Sequence, residues 1–255
     1  MRIPLPRLLA SFCFCALLTL AACDSADPMN DPGPDDPGPI DPPPPPPPPD
    51  DDPVPVPLPV VTVSDVAADP AMGGGGPGSG TGRFTLYDLD ENEVVLSWAE
   101  EDQAVRDAAI NSPTWDIGFQ STTIIFNGGD SGPGMGTAQV LEDLFADVTE
   151  APANGYAADG ANADCSTGFA VCTGSDNGWY NYNFMTNIVS PLPGRTIVMT
   201  TGEGDYAKVR VMSYYQGAPT DPDPFSDPSR YYTFEYVLQP DGSRNLETTI
   251  PDDEG

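Results

Sequence analysis

The chain has 255 residues, a formal net charge of −30 at pH 7 and a pI near 4.1. That balance argues against nucleic-acid binding, which needs a basic footprint to displace counterions from phosphates. Histidine is absent, so no imidazole can serve as a general base or bind a metal.

Arg2 and Arg7 precede an apolar run from Leu8 to Leu20, and Leu20-Ala21-Ala22-Cys23 has the pattern of a lipobox. A basic flank, a short apolar segment and small residues before a cysteine read as an export signal. The run falls short of the ~20 apolar residues of a membrane span. The expectation is a signal peptide over 1–22, with Cys23 the acylated first residue of a protein held to the cell envelope by lipid. Between the outer-membrane or surface side and the inner membrane, the former is expected. Residues 23–59 are dominated by Asp, Pro and Gly, with an unbroken proline run from Pro42 to Pro49. Such a stretch cannot build a core and favours extended polyproline II at about 3.1 Å per residue, so it reads as a disordered, proline-rich stalk.

The folded domain is expected over 60–255, beginning near Val60-Val61-Thr62-Val63. After the glycine-rich stretch 73–82, Arg83 to Leu89 and Glu93 to Trp98 read as a hairpin around Asp90-Glu91-Asn92. Asp88-x-Asp90-x-Asn92 has the opening of an EF-hand calcium loop. However, the sixth position is Glu93 rather than glycine and the twelfth is Ala99 rather than glutamate, which breaks the pattern. Glu100 to Ile110 reads as the one helix, with Ser97 or a neighbour as its cap and Asn111-Ser112-Pro113 as its stop.

Trp115-Asp116-Ile117-Gly118-Phe119 and Thr123-Ile124-Ile125-Phe126 read as strand sequence, because aromatic and β-branched side chains suit a pleated, half-buried surface. They feed Asn127-Gly128-Gly129-Asp130-Ser131-Gly132-Pro133-Gly134-Met135-Gly136, whose Asn-Gly-Gly and Gly-Pro-Gly steps are expected to supply positive φ angles. Gly129-Asp130-Ser131-Gly132 matches the surroundings of a serine-protease nucleophile, but without histidine nothing can take the serine proton. The loop therefore reads as a turn. A glycosidase pair such as Asp116 and Glu142 would need a defined separation that the sequence does not specify. A binding protein rather than an enzyme is expected.

Further along come a strand at Ala138 to Leu141 and a turn-rich insertion from Ala151 to Asp176. Long strands follow at Thr196 to Thr200, Tyr206 to Tyr215 and Tyr231 to Leu238, then a final hairpin arm from Arg244 to Ile250. In Tyr206 to Val211, Ala207, Val209 and Val211 share one face. Lys208 and Arg210 share the other, which is expected to be exposed. The fold class is mainly β: antiparallel sheets with one short helix. Once Cys13, Cys15 and Cys23 are assigned to the leader and the anchor, Cys165 and Cys172 remain. In an oxidising compartment they are expected to pair, with a two-thiolate metal site as the alternative.

WDIGF, the following strand and NGGDSGPGMG together resemble the HmuY family of haem-binding bacterial lipoproteins. Further pieces in the family's order are Phe84-Thr85-Leu86-Tyr87-Asp88-Leu89, Trp179-Tyr180-Asn181-Tyr182, Pro193-Gly194-Arg195, Tyr206-Ala207-Lys208-Val209, Ser213-Tyr214-Tyr215 and Tyr231-Tyr232-Thr233-Phe234. The resemblance covers roughly residues 80 to 245. It implies haem as ligand and passage of haem to a transporter, with a TonB-dependent haem transporter as partner. The family's best-known members ligate iron through two histidines, which this chain lacks, whereas others use methionine. Methionine and tyrosinate are the axial groups on offer. Met135, at the end of the glycine loop, and Met185, after the aromatic run, are the expected iron ligands. Trp115, Phe126, Trp179, Tyr180, Tyr182 and Phe184 are expected to line an apolar slot, and Arg195, Lys208 and Arg210 to meet the propionates. Met199 reads as core filler, Met212 lies on the charged face and Met72 in the glycine tract. The alternative function is a non-haem ligand-binding or structural surface lipoprotein of the same fold.

Overall fold

The computed structural model describes residues 57–70, 80–162 and 164–248. The chain divides into two units, Met1–Asp51 and Asp52–Gly255, and every described residue belongs to the second. The expected signal peptide, Cys23, most of the expected stalk and Met72 lie outside the described residues.

Eleven strands and one helix are formed by the described residues: β1 (Val61–Ala67), β2 (Thr85–Asp88), β3 (Glu93–Leu96), α1 (Gln103–Ile110), β4 (Ile117–Gln120), β5 (Thr123–Phe126), β6 (Thr137–Leu141), β7 (Tyr180–Asn183), β8 (Ile188–Pro191), β9 (Thr196–Thr200), β10 (Tyr206–Tyr215) and β11 (Ser229–Gln239). The first sheet runs β1-β11-β10-β9-β6, the second β3-β2-β4-β5, and β7 pairs with β8. All strand pairings are antiparallel, as the alternating sequence pattern predicts.

The main core lies between the two larger sheets. Ile117 and Phe119 of β4 and Tyr87 of β2 meet Val209, Tyr232 and Phe234 from β10 and β11. Phe119 packs on Tyr232 with ring centroids 4.5 Å apart, and Tyr87 meets Phe234 edge-on at 5.5 Å. The two-residue period of β4 sends Gly118 to the opposite face, where a Cβ would collide with the Leu86 and Ile125 side chains. Glycine lets these two close over the strand. With Trp115 and Leu96 they form a second cluster, against which Ala109 and Ile110 of α1 pack.

Helix α1 starts later than expected and with a different cap. Asp102, not Ser97, accepts from the Ala104 and Val105 amides at 2.8 and 3.4 Å. A carboxylate there satisfies orphan donors and faces the positive end of the helix, so it outcompetes a serine five residues upstream.

Both faces of β10 are covered around Lys208. Ala207 and Val209 do enter the main core, but Lys208 on the other face is fully buried. That face carries Val198 and Val237 and is roofed by Phe145, Val148, Ala151 and Leu246. The expected exposed face is corrected for Lys208, because alternation identifies the faces of a strand but not what later folds over them. The final segment also differs. Instead of a hairpin arm, the described residues from Arg244 onward make isolated bridges, Asn245 to Glu150 and Thr248 to Leu58. The β7–β8 hairpin was not expected as strands.

Candidate functional site

Asn127 organises the glycine loop. Fully buried, it donates through Nδ2 to the Ser112 and Trp115 carbonyls at 2.9 and 2.6 Å, and its Oδ1 accepts from the Gly134 amide at 3.0 Å. Of the loop glycines only Gly129 has positive φ, at 59°. The others serve close approach: a Cβ on Gly132 would strike Asn127 and the Trp115 ring, and one on Gly134 would strike the Gly202 backbone. The expectation of several positive-φ glycines is corrected, and Asn127, read beforehand only as a turn residue, is the hub.

Two buried carboxylates flank this loop. Asp116 accepts from the Leu89 and Gly202 amides at 2.8 and 2.9 Å. Burial, partly offset by those amides, pushes its pKa up to about 7, with Asp88 and Asp90 adding to the rise. Asp159 accepts from the Phe126 and Ala170 amides, both at 2.8 Å, and burial raises its pKa too. Ser131 bonds to Asp159, a structural role in keeping with the turn reading of GDSG. Asp116, committed to two amides, is no partner for Glu142, whose side chain is 77% exposed and paired with Arg195 at 2.8 Å. Carboxylate oxygens of Asp88, Asp90 and Asp116 lie within 4.8 Å of one another, although Asp88 and Asp116 already accept backbone amides.

The expected haem residues do not converge. Trp115 is fully buried beneath α1, its indole N–H on the Ile110 carbonyl at 3.3 Å. Phe126, Trp179 and Tyr180 belong to the main core, with the Trp179 ring tilted against Tyr180 at 4.9 Å between centroids. Tyr182 packs on the core's edge, and Phe184 is 76% exposed. Aromatic content alone cannot separate a ligand slot from a core. Met135, 62% exposed, sits against Gly202 and Gly204 just before the start of β10. Met185, 77% exposed, lies at the tip of the β7–β8 hairpin, which is tied through Val189 to the Tyr215 hydroxyl at the other end of β10. At about 3.3 Å per residue, β10 separates the two ends by roughly 30 Å. The structure therefore does not bring the two sulfurs to one iron. Met199 is core, as expected, and Met212 is half exposed. Lys208 donates to the Phe145 and Val148 carbonyls, both at 2.8 Å, and is corrected as a propionate partner. Arg210 is held by Glu235 at 2.7 Å.

A cleft of about 460 Å³ opens beside β6, the edge strand of the large sheet. Its apolar wall is made of Ala138, Val140, Ala157, Ala161 and Ala170, while Gln139, Tyr156, Asn162, Asp164, Asn177 and Arg195 supply polarity. Arg195 is the only expected ligand-site residue in this lining. The insertion from Ala151 to Asp176, with Asn177 just after it, makes the far wall. Ala157 exchanges both backbone hydrogen bonds with Ala138, at 2.9 and 3.0 Å. The Cys165–Cys172 disulfide forms as expected and closes a loop of that wall, and Asn162 donates to the Ala170 carbonyl and to Cys165 Sγ, each at 3.0 Å. Antiparallel alternation turns the Val140 N–H and C=O outward toward the cleft, as at Ala138. The Tyr156 hydroxyl is shielded from solvent and lies beside the Gln139 side-chain amide.

The HmuY family model matches residues 82–236, more than half of the chain. The chain belongs to the HmuY family. Three solved structures align over most of their length. An apo HmuY analog from Tannerella forsythia is 16% identical over 72% of this chain and 96% of its own, with a TM-score of 0.41. A protein described as HmuY-like and haem-binding, from Bacteroides vulgatus, is 18% identical over 70% and 91%, also at 0.41. A protein described as a lipoprotein from Bacteroides fragilis is 16% identical over 70% and 89%, at 0.37. No curated protein sequence gives a match. The HmuY match takes in the glycine loop, the cleft, all of β10 and most of β11. No helix among the described residues is long and apolar enough to cross a membrane.

Proposed function

We propose that this protein is a lipid-anchored haem-binding lipoprotein of the cell envelope that takes up haem and hands it to a TonB-dependent transporter. Membership of the HmuY family carries the reading. The cleft beside β6 supports it. Its volume lies within the ~300–1,000 Å³ range of small-molecule sites, and its alanine-rich wall suits the apolar face of a porphyrin. Arg195 in its lining would meet a ligand carboxylate by exchanging its exposed partner Glu142. The haem supplies the iron; the chain's task is to exclude water from it, orient it and neutralise its propionates. Anchoring at Cys23 follows from the lipobox and holds the site at the membrane.

One observation favours the second reading, a non-haem ligand-binding or structural lipoprotein of the same fold: no methionine lines the cleft. A haemin titration of the purified protein separates the two. Binding saturating at one equivalent with a sharpened Soret band supports haem. A spectrum matching free haemin in both ferric and ferrous states favours the alternative.

A further inference from the structure

We propose that Arg83, just before β2, and Arg106, on α1, form a binding site for a phosphate group. Neither residue lines the cleft beside β6, and the inference is independent of the haem reading.

The chain has 9 basic residues against 39 acidic ones, so a guanidinium without a carboxylate partner calls for a physical reason. Arg195, Arg210 and Arg244 each close an ion pair, at 2.8, 2.7 and 2.6 Å. Arg83 and Arg106 close none among the described residues. Instead both donate through Nη1 to one oxygen, the Glu100 carbonyl, at 2.9 and 3.3 Å. The Ser97–Glu100 turn, closed by the Glu100 amide on the Ser97 carbonyl at 3.1 Å, presents that oxygen to both side chains. A guanidinium has five N–H donors, and the carbonyl takes one from each. The remaining side-chain donors of both residues have no acceptor among the described residues.

Arg106 is only 7% exposed, and Arg83 is half-buried. None of the Arg106 nitrogens that lack a partner is sealed from solvent, so the fork is covered on its flanks yet reachable. Burial, with Arg83 as a like-charged neighbour, lowers the Arg106 pKa, and the Glu100 and Asp107 carboxylates offset this only in part. Those two carboxylates are engaged elsewhere: Glu100 accepts from the Asp102 amide at 2.8 Å and Asp107 from the Gln103 side-chain amide at 2.7 Å. Two cations held together below the surface are costly until an anion takes their free donors. The end of α1 is not the binding element, because Asp102 already caps it.

The donor set selects the ligand. Guanidinium forks match the oxygens of phosphates and carboxylates, and two forks together favour the group with more charge and more oxygens, a phosphate over a monocarboxylate. The protein's net negative charge repels polyanions, so the site suits a single phosphate group, either free or as a lipid headgroup.

The test titrates the purified full chain with inorganic phosphate, glycerol 3-phosphate and acetate at fixed ionic strength. Arginine Nε–H signals in nitrogen–proton NMR spectra and the melting temperature are followed for wild type, Arg83→Gln, Arg106→Lys and the control Arg244→Gln. In the wild type two Nε–H signals should move saturably with phosphate, the two that are missing from the Arg83→Gln and Arg106→Lys spectra, and acetate should bind at least about tenfold more weakly. Arg83→Gln should lose about tenfold or more in phosphate affinity. Arg106→Lys, which keeps the charge but not the fork, should lose a similar factor, whereas Arg244→Gln binds as wild type does. Tighter binding of glycerol 3-phosphate than of inorganic phosphate supports a headgroup as the source, and the reverse order supports free phosphate. Unmoved Arg83 and Arg106 signals in the wild type would overturn the site. So would a rise in melting temperature that never saturates and is alike in all four proteins, as a kosmotropic salt gives any fold. Either failure leaves the haemin titration and its reading untouched.

Discussion

Lys208 is the chain's only lysine, and it is buried with no carboxylate on it. Its ammonium sits 4.6 Å above the Phe145 ring and donates to the Phe145 and Val148 carbonyls. Burial, with Arg210 as a like-charged neighbour, lowers its pKa from 10.5 to about 8. At about 1.4 kcal/mol per tenfold change in proton affinity, the buried charge costs about 3 kcal/mol at pH 7. The sign follows from linkage. Between pH 8 and 10.5 the unfolded chain binds more protons than the folded one, so stability rises with pH across that window. A neutral amine keeps two N–H groups, enough for both carbonyls. Integrated from pH 7 to 9, the Lys208 contribution amounts to about 1.4 kcal/mol. Lys208→Met removes the titration and leaves both carbonyls without a donor. Asp116 and the buried tyrosines titrate alike in both proteins and cancel in the difference. Urea unfolding of wild type and variant at pH 7, 8 and 9 should show the variant's deficit widening by about 1.4 kcal/mol, or roughly 0.7 M in midpoint difference. A deficit independent of pH would refute a buried ammonium with a depressed pKa.

Asn127→Ala removes three buried hydrogen bonds and should lower stability by about 2–4 kcal/mol; Gly132→Ala, which forces a Cβ into Asn127 and Trp115, should lower it by about 1–3 kcal/mol. Thermal melts of both check the hub, and wild-type melting of either would contradict it. Replacing Cys165 and Cys172 by serine should cost about 2–3 kcal/mol by loop entropy, and mass spectrometry without reductant should find the pair linked in wild type. Cys23→Ala should block lipidation and processing while leaving the domain folded, as detergent partitioning and intact mass would show; normal acylation of that variant would contradict the anchor.

The sheet was largely legible because its strands carry strong local signals. Thr196–Thr200 and Tyr206–Tyr215 match the expected bounds, and Ser229–Gln239 extends the expected Tyr231 to Leu238. The disulfide was legible by elimination. What local pattern could not convey was the covering of one element by another distant in sequence. Lys208 looked exposed because Phe145 and Val148 lie some 60 positions away. Met135 and Met185 looked equivalent because both follow loop or aromatic signals, yet they occupy opposite ends of β10. The aromatic residues that suggested a slot fill the core, and the cleft instead uses alanines, amides and one tyrosine, residue types with no distinctive sequence signature.

Hydrogen exchange measured by mass spectrometry, with and without one equivalent of haemin, tests most directly whether haem occupies the cleft beside β6. Protection is expected in peptides spanning 138–142 and 155–177, including the outward-facing Val140 amide, with the β7–β8 hairpin tip around Met185 unchanged. Unaltered exchange at the β6 edge, or protection centred on that hairpin tip instead, would contradict the account.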